Sequence, residues 1–219
     1  MHIVLHSTYN SVEVALCSEG SIIDATCIDK YEASGQLLVA LAALCTRQSI
    51  ISHQIEFIVT QAGPGPFTTL RAVLATANGL ATALGIKLVA VDGLRALLDE
   101  YHDDAYPVTM ALLNAYSNDL YYALDNHGHI ATGIIYGADS LRQTLQQLDA
   151  HSTIRFIGNG VPLHEPLIRQ ICGTRVYIPT PNPETCSTTI VASKGYQKWV
   201  AQEDVSDQVA PLYLKKYTS

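Results

Sequence analysis

The sequence is short of most features that mark a membrane, secreted or nucleic-acid-clamping protein. No apolar run approaches the ~18 residues needed to cross a bilayer, and the longest, Leu37 to Leu44, is followed by Arg47. The opening MHIVLHSTYN lacks the basic region, apolar run and small-residue cleavage pattern of a secretory signal, so the expectation is a cytoplasmic chain. Cys17, Cys27, Cys45, Cys172 and Cys186 are odd in number and form no C-x-x-C pair. That pattern suits buried reduced thiols rather than a disulfide framework or a zinc site. Charged residues make up only 15% and sum to −7, with no basic stretch of the kind that neutralises phosphates. Lys215 and Lys216 come nearest, and so close to the chain end they are expected in solvent. Neither G-x-x-x-x-G-K-[ST] nor H-E-x-x-H occurs.

What is present is a chain of 219 residues, 48% of them hydrophobic, large enough to bury a core without metals or disulfides. Residues 2–7, 12–17 and 21–28 alternate apolar and polar side chains between turn signals and predict a three-strand meander. Leu37, Leu38, Leu41, Leu44 and Cys45 recur at helical spacing over 34–47. Strand 56–60, a helix near 66–84, strand 87–91 and a helix near 93–102 follow. Asp103, Asp104 and Pro107 then mark a break. Beyond it come strands at 108–114, 120–124 and 129–135, a helix near 140–148, strand 154–158, a helix near 163–172, strand 175–178 and a helix near 188–202.

Each half therefore reads βββαβαβα. Strands joined by tight turns begin antiparallel, and strands separated by helices need crossovers, so each half should be a mixed sheet flanked by helices. Two such α/β lobes, 1–104 and 105–219, with one crevice between them resemble the two-lobed actin, sugar-kinase and Hsp70-type fold. The last helix, reached through Pro179, Pro181 and Pro183, is expected to return towards the first half, with Trp199 anchoring a domain contact.

The stretch QAGPGPFTTLR, residues 61–71, invites two readings. Gly63 and Gly65 permit a tight turn, and Pro66 suits the first turn of a helix. A structural corner needs nothing more. Exposed N–H groups of Gly63, Gly65, Phe67 and Thr68 at a helix N-terminus could also hold an anion. No lysine lies nearby, however, and Pro66 removes one donor. The helix that follows carries a stripe of Phe67, Leu70, Val73, Leu74, Ala77, Leu80, Ala81 and Leu84, while Ala72, Ala75, Gly79 and Ala83 leave its other side small. Arg71 is its one ionisable residue. Such a helix must be covered on two sides, by its own sheet and by either a neighbouring helix or a second chain.

The segment GPGPFTTLRAVLATANGLATALGIKLVAVDGLRAL resembles the G-P-G-S-F-T-G-L-R segment, helix and strand of the bacterial TsaB (YeaZ) proteins. The resemblance extends to MHIVLHST, to LLNAYSNDLYYA (112–123), to FIGNG (156–160) and to APLYLKKY (210–217). Departures stand beside the matches. Ser7 replaces a usual Asp, Ala33 a His, Pro66 and Thr69 a Ser and a Gly, and Asn114 and Tyr116 an Asp and an Arg. Ser and Ala cannot supply the metal ligands or proton carriers that Asp and His would.

The resemblance implies a subunit with no catalytic residue, metal or cofactor of its own; a nucleotide at a subunit interface stays open without a motif to support it. It implies pairing with a TsaD-like catalytic subunit that makes N6-threonylcarbamoyladenosine at position 37 of tRNA, with a TsaE-like ATPase as a further partner. Contact with tRNA would come only through the complex, and a homodimer is the alternative pairing when the partner is absent. The contact surface would be the helices at 34–47 and 66–84, with Leu70, Arg71, Leu74, Ala75 and Asn78 as candidate interface residues. Two rivals follow from the fold and the residues. An ATP-dependent phosphotransferase or ATPase would need crevice carboxylates for Mg²⁺, and Asp24, Asp92, Asp119 and Asp139 lie in no phosphate motif, so ordinary strand-end or capping roles suit them better. A metallopeptidase would have only His127 and His129 beside a hairpin turn, where solvent-facing imidazoles are expected.

Overall fold

The computed structural model describes residues 1–215. Lys216 and Tyr217, quoted above from the tail, lie outside the described residues. The chain divides into two compact units, one of residues Met1–Ala96 with Ser187–Leu212, the other of Leu97–Cys186 with the described part of the tail.

In the first unit the strands are β1 (His2–Ser7), β2 (Ser11–Ser18), β3 (Ser21–Asp29), β4 (Phe57–Gly63), β5 (Lys87–Asp92) and β11 (Val205–Ser206), ordered β11-β5-β4-β1-β2-β3. β1, β4 and β5 run parallel at the centre; β2 and β3 complete an antiparallel meander, and β11 closes the far edge antiparallel to β5. Burial follows position. Every residue of central β4 is buried, whereas edge β3 alternates exposed and half-buried for most of its length. Cys27 sits on that edge and is exposed, unlike the buried thiol anticipated for it.

Helices cover both faces of this sheet. α1 (Ala33–Arg47) and α2 (Phe67–Leu84) pack on one, and α6 (Thr188–Ala201) on the other, so α6 belongs with the first unit. Leu37, Leu41 and Leu44 of α1 and Leu70, Val73 and Leu74 of α2 join Ile3, Leu5 and Ile58 in one core. α2 ends where Gly85 turns left-handed at φ 67° and returns its N–H to the Ala81 carbonyl. α6 starts at Ser187, whose hydroxyl accepts from the Ile190 N–H at 3.2 Å.

α6 lies close to the sheet because Gly195 has no side chain: a Cβ there would sit 2.3 Å from Val59 Cγ1. Beside it the rings of Trp199, Phe57, His2 and Tyr196 stack in sequence, with centroids 4.3, 4.5 and 6.0 Å apart. Trp199 thus anchors the last helix to the first sheet.

The second unit repeats the plan. β6 (Val108–Asn114), β7 (Leu120–Asn126), β8 (His129–Ile135), β9 (Ile154–Ile157) and β10 (Val176–Tyr177) are ordered β10-β9-β6-β7-β8, a meander extended by two parallel strands. α4 (Gly137–Gln146) and α5 (Val161–Cys172) pack on each other and supply Leu141, Leu145, Val161 and Ile168 to a core with Met110, Leu112 and Phe156. The short α3 (Gly93–Glu100) follows β5.

Two buried imidazoles make the first unit sensitive to acid. Burial and then the nearby N-terminal ammonium, partly opposed by Glu56, lower His2 to about 4, and burial alone lowers His6 to about 4. Nδ1 of His6 lies 2.9 Å from the Thr188 hydroxyl, which donates to Glu13. Between pH 6.5 and about 4 the unfolded chain takes up protons that the folded chain refuses, so stability falls as pH is lowered through that window. Each imidazole contributes up to about 3 kcal/mol to that loss. Urea midpoints measured from pH 7.5 down to 4.5 should show the decline, and His2→Phe, which keeps a ring in the stack, should flatten it. Gly195→Ala should lower stability by about 1–3 kcal/mol by wedging α6 off Val59, as read from thermal melting.

Candidate functional site

The corner before α2 is built by backbone. Gly63 has φ +121°, and a Cβ on it would meet Leu70 Cδ2 at 3.1 Å and the Leu212 carbonyl oxygen at 3.4 Å. The Gln61 amide donates to the Pro64 carbonyl at 3.1 Å from inside the turn. At Gly65 the nearest group to a built Cβ is a carbonyl, that of Ser7, at 4.0 Å. Phe67 and Thr68 open the helix in solvent, and the Arg71 guanidinium stands 4.9 Å from the Phe67 ring centroid. The four residues considered for an anion are thus close in space. The groups that a Cβ on the two glycines would meet are side-chain carbon and carbonyl oxygen.

The face of α2 turned from the sheet is small and open. Arg71, Ala75, Gly79 and Ala83 are exposed, whereas Leu70 and Leu74 are 3% and 2% exposed and belong to the core. The candidate interface set therefore divides. Arg71 and Ala75 lie on the outer face, Leu70 and Leu74 point inwards, and Asn78 is occupied within the chain: its side chain donates to the Val209 carbonyl at 3.0 Å and accepts from the Val209 N–H at 2.9 Å.

α1 packs alongside α2 and extends the same surface with Leu38 and Val39, 55% and 60% exposed, and with exposed Ala42 and Ala43. Leu38 was read as part of the apolar stripe of this helix, but it and Val39 follow the core position Leu37 directly and so turn outwards, and Val39, Ala42 and Ala43 were not singled out. Polarity on this surface is muted further. The hydroxyls of Thr46, Thr76 and Thr82 each donate to the carbonyl four residues earlier in their own helix. Arg47 closes one end, paired through Nε and Nη2 with Asp24, whose carboxyl is held below the usual range mainly by that contact.

Of the positions where the sequence departs from the pattern it resembles, Ala33 and Asn114 have local structural roles. Ser7 ends β1 with its hydroxyl buried and unpartnered among the described residues, and Ala33 is buried at the start of α1. Asn114 receives the Tyr116 N–H on its side chain at 2.8 Å and donates its own N–H to the Asn159 side chain at 2.9 Å. LLNAYSNDLYYA and FIGNG therefore meet. Gly158 has φ +106°, and a Cβ on it would fall 2.2 Å from the Leu112 carbonyl oxygen. Tyr116, Ser117 and Asn118 are all left-handed, at φ 59°, 55° and 64°. Asp119 beside them pairs at 2.7 Å with Lys215, so this lysine is mostly buried in a salt bridge rather than free in solvent.

The remaining carboxylates and imidazoles are scattered. Asp92 caps α3, Asp139 lies in the first turn of α4, and His127 and His129 are exposed at the β7–β8 turn. Among the described residues no group of three or more His, Cys, Asp or Glu side chains is placed to hold a metal, and no helix is long and apolar enough to cross a membrane.

A family model described as TsaD, tRNA N6-adenosine threonylcarbamoyltransferase, matches residues 32–166, more than half of the chain. The chain belongs to the TsaD family. Solved structures show the same fold. YeaZ from Pseudomonas aeruginosa is 20% identical with a TM-score of 0.69, covering 98% of this chain and 100% of its own. A protein from the same organism described as similar to peptidase YEAZ gives 20% identity and a TM-score of 0.68 over 98% and 100% of the two chains. The ethanolamine utilization protein EutJ from Carboxydothermus hydrogenoformans, 12% identical, gives 0.53 over 89% and 90%. No curated protein sequence matches. Within the TsaD-family segment lie both α1 and α2, so the exposed two-helix face is part of the matched region.

Because Leu74 is core and Ala75 surface, substitutions at these neighbours should separate folding from docking. Leu74→Asp should cost about 3–5 kcal/mol or unfold the chain, since it buries an unpaired carboxylate. Ala75→Glu should stay within about 0.5 kcal/mol of the parent. Circular dichroism melts of the two variants check this.

Proposed function

We propose that this TsaD-family chain is a TsaB-type partner subunit. It docks the α1–α2 face on a TsaD-like catalytic subunit and supports transfer of a threonylcarbamoyl group to N6 of adenosine 37 in tRNA, while contributing no reacting group. The observation that carries this reading is the two-helix face itself. Leu38 and Val39 are more than half exposed beside Ala75, Gly79 and Ala83, and Arg71 is the one ionisable residue of α2. Monomeric proteins seldom leave adjoining helices this poor in charge, and small residues let a partner helix approach closely.

The substituted positions agree with an accessory role. Ser7, Ala33, Asn114 and Tyr116 offer no carboxylate or imidazole where the TsaB pattern has Asp, His, Asp and Arg. The formal charge of −7 argues that tRNA is met through the complex rather than by this chain alone. In this reading the chain works in the cytoplasm, a TsaE-like ATPase joins the assembly, and a homodimer through the same face forms when the catalytic partner is missing.

The test is to mix the purified chain with the TsaD-like protein of the same genome and to follow both association and tRNA modification. A complex should form, and modification should depend on it. Ala75→Glu should weaken pairing on the order of 100-fold, because the docked carboxylate has no partner, while the monomer stays folded. Full modification by the catalytic subunit alone, with no complex detected, would sink the proposal.

A further inference from the structure

A cleft of about 430 Å³ opens in the first unit beside residues 204–212. Ala62, Ala90 and Asp92 line it from the ends of β4 and β5, Lys198 lines it from α6, and Val209 and Leu212 close it from the segment that follows β11. That segment is pinned along its length. β11 pairs with β5, Lys87 meets Asp207 at 2.6 Å, Asn78 brackets Val209, and the Leu212 N–H donates to the Ala62 carbonyl at 2.8 Å. The cleft therefore has a fixed rim.

Three charged side chains line the cleft, and they are unequally satisfied. Lys198 Nζ donates to the Ala90 carbonyl at 3.0 Å and to the Asp204 carboxylate at 2.5 Å, so these two opposite charges answer each other. Asp92 spends one oxygen, Oδ1, on the N–H groups of Leu94 and Arg95 at 2.9 and 3.2 Å. Its second oxygen has no hydrogen-bond partner among the described residues. Lys198 and Arg95 act on Asp92 through space without a hydrogen bond between side chains, and burial nevertheless outweighs them and raises its carboxyl above the ordinary range. The cleft is left with one surplus carboxylate against walls of Ala62, Ala90, Val209, Pro211 and Leu212.

We propose that this cleft binds a small molecule with a primary ammonium head and a short apolar body, the head on the second oxygen of Asp92 and the body along Ala62, Val209 and Leu212. An ammonium supplies the opposite charge and the donor that the carboxylate lacks, while a neutral analogue leaves the charge unanswered and an anion repels it. Apolar walls with a few placed polar groups, here Asp92 beside Ser206 and Gln208, are the usual make-up of a small-ligand site. This inference stands apart from docking by α1 and α2.

The probe is n-butylammonium, titrated into the full chain and followed by amide chemical shifts, with n-butanol and butyrate as neutral and anionic counterparts of similar size. Butylammonium should bind with a dissociation constant on the order of 1 mM, as suits so few atoms, and should shift the amides of Ala62, Ala90, Asp92 and Val209. Asp92→Asn keeps the oxygen that caps α3 and removes the charge, and should weaken binding at least ~10-fold while the alcohol and carboxylate stay without effect. Equal response to butanol or butyrate, unchanged binding by the variant, or shifts confined to residues away from the cleft would each overturn the proposal. The last readout uses the parent chain alone and holds even if the variant does not fold.

Discussion

The first unit depends on a sheet that must be covered on both faces. β1 and β4 are buried along their whole length, so neither face can meet water, and the chain supplies helices from distant parts of its sequence to cover them. On one side α6 approaches as closely as Gly195 allows, with an aromatic column beside it. On the other, α1 and α2 insert their leucines and valines. Once those large side chains are committed inwards, whatever remains on the helices must face away. Here much of the remainder is alanine, glycine and threonine, with Leu38 and Val39 on α1 and Phe67 and Leu84 at the ends of α2 as large apolar exceptions.

The same commitment explains what the sequence could and could not tell. Strand alternation and helical spacing placed the elements well, because edge and centre strands differ in pattern and glycine stops such as Gly85 are local. β11 was not foreseen: two residues, Val205 and Ser206, carry no period, and their pairing with β5 is decided by the path of the chain after α6. The inward turn of Leu70 and Leu74 was not legible for a different reason. Periodicity locates a stripe, but when both sides of a helix are apolar it does not say which side is core. Side-chain size decides, since large residues gain more from burial in a close-packed interior. Asn78 shows the limit most sharply. Its partner Val209 is remote in sequence, and a polar residue satisfied so far along the chain looks, in the sequence, like one awaiting a partner.

Both units use one plan, an antiparallel meander followed by parallel crossovers, and put it to different uses. In the second unit the plan serves exact backbone approach. Gly158 lies against the Leu112 carbonyl, Asn159 receives the Asn114 N–H, and three left-handed residues between β6 and β7 are braced by Asp119 and Lys215. These contacts give Gly158, Asn114 and Asn159 structural roles. The FIGNG and LLNAYSNDLYYA segments are thus tied together by the backbone geometry they encode. Ser7, buried and unpaired at the end of β1, marks the opposite case, where a polar position remains without evident structural employment.

The proposed accessory role sets a physical demand on the α1–α2 face. Losing a ligand residue requires one substitution, but gaining a docking face requires a surface that is apolar without being unstable or indiscriminate. Small residues meet both demands. Alanine and glycine expose little apolar area each, so the isolated chain is not heavily penalised, and they lose almost no side-chain entropy when covered. Threonines that satisfy their hydroxyls within their own helix bring no polar group to desolvate. Leu38 and Val39 then concentrate the hydrophobic gain at one place, while Arg71 and the Asp24–Arg47 pair give the surface a charged border that a wrong partner would have to match. In the proposed pairing, specificity would come from how little of the face is sticky and from the sheet beneath that fixes that little in position.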